Sequence, residues 1–312
     1  MIFLLGVVAP VFAIVALGYG AVRFKLYPAA GVGGIIAFVN NFAAPCLLFR
    51  AMQRVDFRET FDPVLIAPYY IAAFTCFALG IILARMWFKR RPGESVVFGF
   101  AAFFSNTVLL GIPIINRAYG DAAMPLVFSI ISIHGLILFN TGLISMEVAR
   151  RDGASFGQTA KRAVNSIIHN PLLWGVFLGL MVNIFAVPIP EVVDTTTEMM
   201  AAAVIPAALF GLGGALNEYK VSENWQAALP ISMIKAFGLP ALVYLMMVPL
   251  LGIAVEVARP AILLAAMPAG INAYIFSTFY KRATGVAANT VLFTTFGGIV
   301  SISFWLWFLG TV

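Results

Sequence analysis

Two stretches of this chain combine polar and helix-breaking residues inside long apolar runs: Ser105-Asn106-Thr107-Val108-Leu109-Leu110-Gly111-Ile112-Pro113 and Met267-Pro268-Ala269-Gly270-Ile271-Asn272. Proline removes a backbone N–H and clashes with the turn before it, so carbonyls near Pro113 and Pro268 lose their partners. Glycine permits unwinding at Gly111 and Gly270, and an asparagine such as Asn106 or Asn272 can both donate and accept there. The chemistry this suits is recognition. An unwound helix offers N–H groups and partial positive charge at its restart, which match a carboxylate. Asn106, Thr107, Gly111, Pro113, Pro268, Ala269, Gly270 and Asn272 are therefore the candidate substrate-binding residues. The plainer alternative is a pair of proline kinks that only shape packing.

Lys235 joins the candidates because it is the one basic residue well inside an apolar run. It either attracts an anion or snorkels to the nearby aqueous edge. His134 could relay protons, although a hydrogen-bonded packing role is expected more often. Asn40, Asn41, Asn140, Asn183 and Asn289 fit bridges between helices. No Asp or Glu lies deep in an apolar run, which weakens a proton-relay mechanism. Cys46 and Cys76 read as two apolar-run thiols rather than a disulfide or metal pair. With two histidines and no clustered carboxylates, neither an active site nor a cofactor is expected, so an integral membrane enzyme is disfavoured. No filter motif supports a channel. A sensor that kept a transporter fold stays open.

The elements that position these residues follow from composition. Hydrophobic residues make up 62% of the 312, and charged residues only 10%, against roughly 25% in soluble domains. A soluble core cannot hide so much apolar surface, so an all-α integral membrane protein is expected. The net charge of +6 sits in clusters between apolar runs, where it orients helices rather than binding nucleic acid. Ten runs are long enough to cross a bilayer: 2–23, 28–49, 63–87, 95–118, 122–147, 171–189, 196–216, 226–252, 258–280 and 286–310. They show no alternation of the kind a β-barrel needs. Val11-Phe12-Ala13 resembles a signal cleavage site, but a basic start is missing and the first run is kept as a mature helix. Basic residues concentrate on one side, including Arg23, Lys89, Arg90, Arg91, Lys161, Arg162, Lys220 and Lys281. That side is expected to be cytoplasmic, with both termini outside the cytoplasmic membrane.

The chain also repeats itself. Pro10–Gly18 reads PVFAIVALG and Pro171–Gly179 reads PLLWGVFLG; Pro45-Cys46-Leu47-Leu48-Phe49 likewise parallels Pro206-Ala207-Ala208-Leu209-Phe210. The shared offset is 161 residues. Each half holds five runs, an odd number, so the halves 1–148 and 171–312 would be inverted repeats joined by a cytoplasmic loop, 149–170. The two polar breaks fall in runs 4 and 9, the matching runs of the halves. Asn106 and Pro268 each lie about 16 Å from the start of their run, near the middle of a bilayer core. Broken runs 4 and 9 are expected to cross there.

Asn106-Thr107 followed by Gly111-Ile112-Pro113, with Met267-Pro268-Ala269-Gly270-Ile271 and Phe42-Ala43-Ala44-Pro45, resembles the auxin efflux carrier family. That family includes plant carriers and bacterial malonate-type permeases, and the resemblance covers the whole chain. It implies crossed helices, a scaffold with a moving transport part, and organic anions as cargo, here small mono- or dicarboxylates. A cation-coupled symporter of the bile-acid type is the alternative. The implied partners are the anion and the lipid bilayer, with a homodimer left open. Two departures matter: the long central loop of many plant carriers is missing, and residues 66–80 carry no charge, which argues against auxin itself.

Overall fold

The computed structural model describes residues 2–53, 62–150, 168–218 and 225–310. Arg54, Arg58, most of the 149–170 connection with Lys161 and Arg162, Lys220, and Val312 lie outside them. Within the described residues the chain forms twelve helices and no strand beyond one isolated bridge. They are α1 (Ile2–Arg23), α2 (Ala29–Gln53), α3 (Pro63–Met86), α4 (Pro92–Phe103), α5 (Ile112–Tyr119), α6 (Met124–Arg150), α7 (Pro171–Ile184), α8 (Glu191–Glu218), α9 (Trp225–Leu250), α10 (Val255–Ala265), α11 (Ile271–Tyr280) and α12 (Thr284–Phe308). Six of these regions are long and apolar enough to cross a membrane: α2, α3, Asp121–Ala149 around α6, α8, α9 and α12. Shorter apolar helices occupy Val8–Arg23 and Pro171–Ile184.

Local chemistry sets the ends. Asp62 accepts from Val64 N at 2.8 Å ahead of Pro63, and Asn170 accepts from Leu172 N at 3.0 Å ahead of Pro171. Both are capped starts with proline in the first turn. The run at 171–189 is helical only to Ile184, because Ala186 turns to positive φ before Pro188 and Pro190. Conversely, α8 begins at Glu191, ahead of the expected 196. Pro190 pre-sets its first turn, Glu191 and Asp194 suit the helix start, and Arg50 binds Asp194 Oδ1 at 2.7 Å.

Three wide π turns, Val39–Ala43, Thr107–Gly111 and Ile234–Gly238, each end two residues before a proline: Pro45, Pro113 and Pro240. Widening the helix by one residue relieves the clash between the proline ring and the preceding turn. Helical structure thus continues through each of these prolines.

Small residues bring helices into backbone contact, as expected where lipid supplies no hydrophobic drive. A Cβ at Gly18 would overlap the Phe210 carbonyl, and one at Gly213 would overlap Val15, so α1 lies directly on α8. Gly175 lies on Pro45 and Gly179 on Phe49, which seats α7 on α2 in the same way. The other helices pack as a second group: α3 on α4, α9 on α12, α4 on α6, and α11 on α12. At its centre Phe100 stacks on Phe276 at 4.3 Å and on Phe104 at 5.1 Å, linking α4 to α11.

Candidate functional site

Helix α4 stops at Phe103 and helix α10 at Ala265. The unwound stretches that follow run antiparallel, with Ser105 opposite Ala269. Asn106 N donates to Pro268 O at 2.8 Å, and Gly270 N donates to Phe104 O at 2.9 Å. Each break therefore satisfies backbone groups freed by the other, which is what apolar surroundings demand. A Cβ at Gly270 would meet the Phe104 ring at 3.0 Å, so any side chain there requires the ring to yield.

Side chains from neighbouring helices complete the arrangement. Ala269 N donates to Thr294 Oγ1 at 3.0 Å, and Thr294 Oγ1 donates to Thr290 O at 2.6 Å. Tyr69 OH donates to Ser105 Oγ at 3.3 Å. The ammonium of Lys235 donates to Ala265 O at 2.8 Å. Beyond the bridge the chain restarts as the Thr107–Gly111 turn leading into α5, and as α11. Neither restart has a side-chain cap; Thr107 N turns back to Ser105 O and Ala273 N to Gly270 O, each at 2.9 Å, while the other N–H groups of the two first turns have no intrahelical acceptor. Asn106 stands at the first restart, 6% exposed, with its Nδ2 unpartnered among the described residues.

A family model described as "Membrane transport protein" matches residues 3–306. The chain belongs to the membrane transport protein family. It is 24% identical over 304 residues to a Rhizobium meliloti protein named "Putative malonate transporter", covering 96% of this chain and 93% of that one. It is 24% identical to the Escherichia coli "Uncharacterized transporter YfdV", covering 98% and 97% of the two chains. Auxin efflux carrier component 8 of Arabidopsis thaliana is 22% identical, with 91% of each chain covered. The resemblance drawn from the Asn106–Pro113 motif is thus borne out, and with it a multi-pass membrane protein of a transporter family rather than an enzyme family.

In this membrane transport protein the break differs from the expected one in one respect. It lies at 104–106, ahead of Thr107, rather than across 107–113. Gly111 N bonds back to Asn106 O at 3.1 Å, so the π turn absorbs Pro113 and helical bonding continues. Asn106, Thr107, Pro268, Ala269 and Gly270 come together at the bridge. Asn272 is exposed in the first turn of α11. Gly111, the last residue of the π turn, and Pro113 in α5 are both buried, and a Cβ at Gly111 would meet the end of the Leu264 side chain of α10 at 2.6 Å.

Lys235 does not reach for the aqueous edge: it is fully buried and bonded inside the protein. His134 is also buried, its ring edge-on to Phe104 at 4.9 Å and Tyr69 at 5.8 Å. Cys46 and Cys76 are free thiols. Thr294 was not singled out from sequence, although its Thr294-Thr295 pair is a polar interruption of an apolar run.

Two cavities are lined by different levels of α6, and the smaller reaches Phe104 at the first break. One of about 300 Å³ is lined by Phe104, Phe139, Asn140, His169 and Asn272. The other, about 1080 Å³, is lined by Met124, Phe128, Ile112, Asn116, Arg50 and Arg259. Residues 128 and 136–140 of α6 are separated by about 12–18 Å along the helix. Leu109 packs with Val39, Ala43, Ala44, Val204 and Ala208, and against this cluster pack Val108, Ile271, Leu47 of the larger cavity's lining and Leu172 of the smaller one's. Both arginines are engaged: Arg50 with Asp194 and Glu198, Arg259 with Leu309 O and Gly310 O at 2.7 Å each.

Proposed function

We propose that this protein is a secondary carrier for small organic anions, mono- or dicarboxylates, that binds them at the crossed breaks. One observation carries the reading: two paired breaks deliver two uncapped helix starts beside a buried asparagine amide that still has a hydrogen to donate. Such starts favour a carboxylate. Asn106 and Thr107 at one start, and Gly270 and Asn272 at the other, are the proposed contacts. Pro268 and Ala269 hold the two starts together, Gly111 and Pro113 shape α5, and Lys235 adds positive charge behind the site.

The proposed architecture is ten spans in two inverted halves, 1–148 and 171–312, with α4–α5 and α10–α11 as the broken spans. Gly18 on Phe210 and Gly179 on Phe49 are related by the 161-residue offset, and this supports the inverted halves. The α1–α2–α7–α8 group would act as scaffold while the remainder moves past it. The apolar cluster around Leu109 would be the sliding contact that keeps the two cavities separate. The names of two relatives, "Putative malonate transporter" and "Auxin efflux carrier component 8", support an organic anion as cargo.

Counterflow tests the reading. Proteoliposomes preloaded with unlabelled malonate, succinate, acetate or lactate should accumulate the matching labelled acid transiently. A protein that accumulates none of a broad organic-acid panel, yet is folded and inserted, is not this carrier.

A further inference from the structure

The break in α10 frees the carbonyls of its last turn. In a continuing helix Leu264 O would accept from residue 268, but Pro268 has no N–H, and Met267 N takes that oxygen at 3.3 Å. Ala265 O would accept from Ala269, but Ala269 N goes to Thr294 Oγ1. Leu263 O and Ala266 O lose their helical donors too, since Met267 N and Gly270 N go elsewhere, and of these freed oxygens Lys235 binds that of Ala265 at 2.8 Å. Lys235 reaches it from the π turn Ile234–Gly238 of α9, is 0% exposed, and forms no ion pair among the described residues. At the other break no ammonium is used: Phe104 O accepts from Gly270 N.

A helix C-terminus carries partial negative charge, and the carbonyls freed where a membrane helix breaks are ligands for small inorganic cations. We propose that the ammonium of Lys235 is a tethered cation at the end of α10, standing where a dissociable coupling ion would otherwise bind. The crossed breaks are then held together without Na⁺ or K⁺, and the transported anion supplies the missing counter-charge. Lys235 is on this view a positioning residue. The inference rests on the crossed breaks being the substrate site.

The test is thermal unfolding of the purified full-length protein in detergent, in sodium, potassium, methylammonium or choline chloride at one ionic strength. Wild type should melt within about 1 °C in all four, because the Lys235 ammonium already holds the end of α10. Lys235→Met should melt at least about 4 °C lower in choline, and sodium or methylammonium should recover half or more of that loss by filling the vacated place. Lys235→Arg should stay near wild type in choline. A saturable stabilisation of wild type by sodium or potassium over choline overturns the proposal. So does a Lys235→Met protein that melts like wild type, or one that melts low in every salt, which would mean packing alone. If Lys235→Met cannot be purified, the wild-type salt series and the Lys235→Arg variant still decide. Melting needs no transport, so failure of the substrate site would show separately, as unaltered uptake by Asn106→Ala.

Discussion

Gly18 of α1 lies against the backbone of Phe210 in α8 so closely that any side chain at 18 would overlap the Phe210 carbonyl. Gly179 of α7 lies in the same way against Phe49 of α2. Residues 18 and 179 are 161 apart, and so are 49 and 210, the offset that relates Pro10 to Pro171 and Pro45 to Pro206. One contact therefore occurs twice, built from residues related by that offset with the partners exchanged.

Because the two contacts are equivalent, their disruption should be equivalent. Gly18→Leu and Gly179→Leu should each reduce the folded yield and melting temperature severely and to a similar degree. The overlap is with backbone, which cannot turn aside as a side chain would. Gly33→Ala is the control, since a Cβ there meets nothing within 4 Å. Fluorescence-detected size-exclusion and thermal melting read the result; a well-folded Gly179→Leu protein would contradict the close packing.

Asn106→Ala should lower uptake and binding of the identified anion by roughly tenfold or more, which corresponds to about 1.4 kcal/mol of lost interaction. Insertion and melting should change little, since Asn106 Nδ2 has no partner to lose among the described residues. Asn183→Ala provides the contrast. Its amide donates to Met52 O at 3.1 Å and Gln53 O at 2.9 Å, away from the breaks, so it should cost about 1 kcal/mol of stability and leave affinity intact. Equal affinities for Asn106→Ala and wild type would place the site elsewhere.

Thr294→Val keeps the shape of the side chain but leaves the buried amide of Ala269 without an acceptor. Leaving such a donor unpaired costs about 1–3 kcal/mol, so the melting temperature should fall, and Thr294→Ser should restore most of it. A Thr294→Val protein as stable as wild type would show that this bond is replaced readily, for instance by water.

The orientation inferred from the basic residues is open to direct labelling. A cysteine placed at Val312, in a background with Cys46 and Cys76 replaced, should react with a membrane-impermeant thiol reagent in intact cells. A cysteine in the 149–170 connection should react only after permeabilisation. The reverse pattern would invert the topology.

Much of this architecture is legible in the residues themselves. Apolar run length reports membrane helices because bilayer thickness sets how many residues a helix needs, and 63–87 and 286–310 came within two residues of α3 and α12. Gly, Pro and Asn at 105–113 and 267–272 mark breaks because their backbone chemistry is local. What a local rule does not contain is which orphaned group meets which. Pro113 looks like a helix end, but the turn before it widens and the helix goes on, while the true break opens at Phe104 because Gly270, distant in sequence, supplies the amide its carbonyl takes. Lys235 looks poised to reach water, yet it is fixed on Ala265, whose usual partner has gone to Thr294. Residue types determined that backbone groups would be freed at two places in the membrane; only the tertiary structure decided how those groups are satisfied, because hydrogen bonds between distant segments depend on how the helices come to lie beside one another.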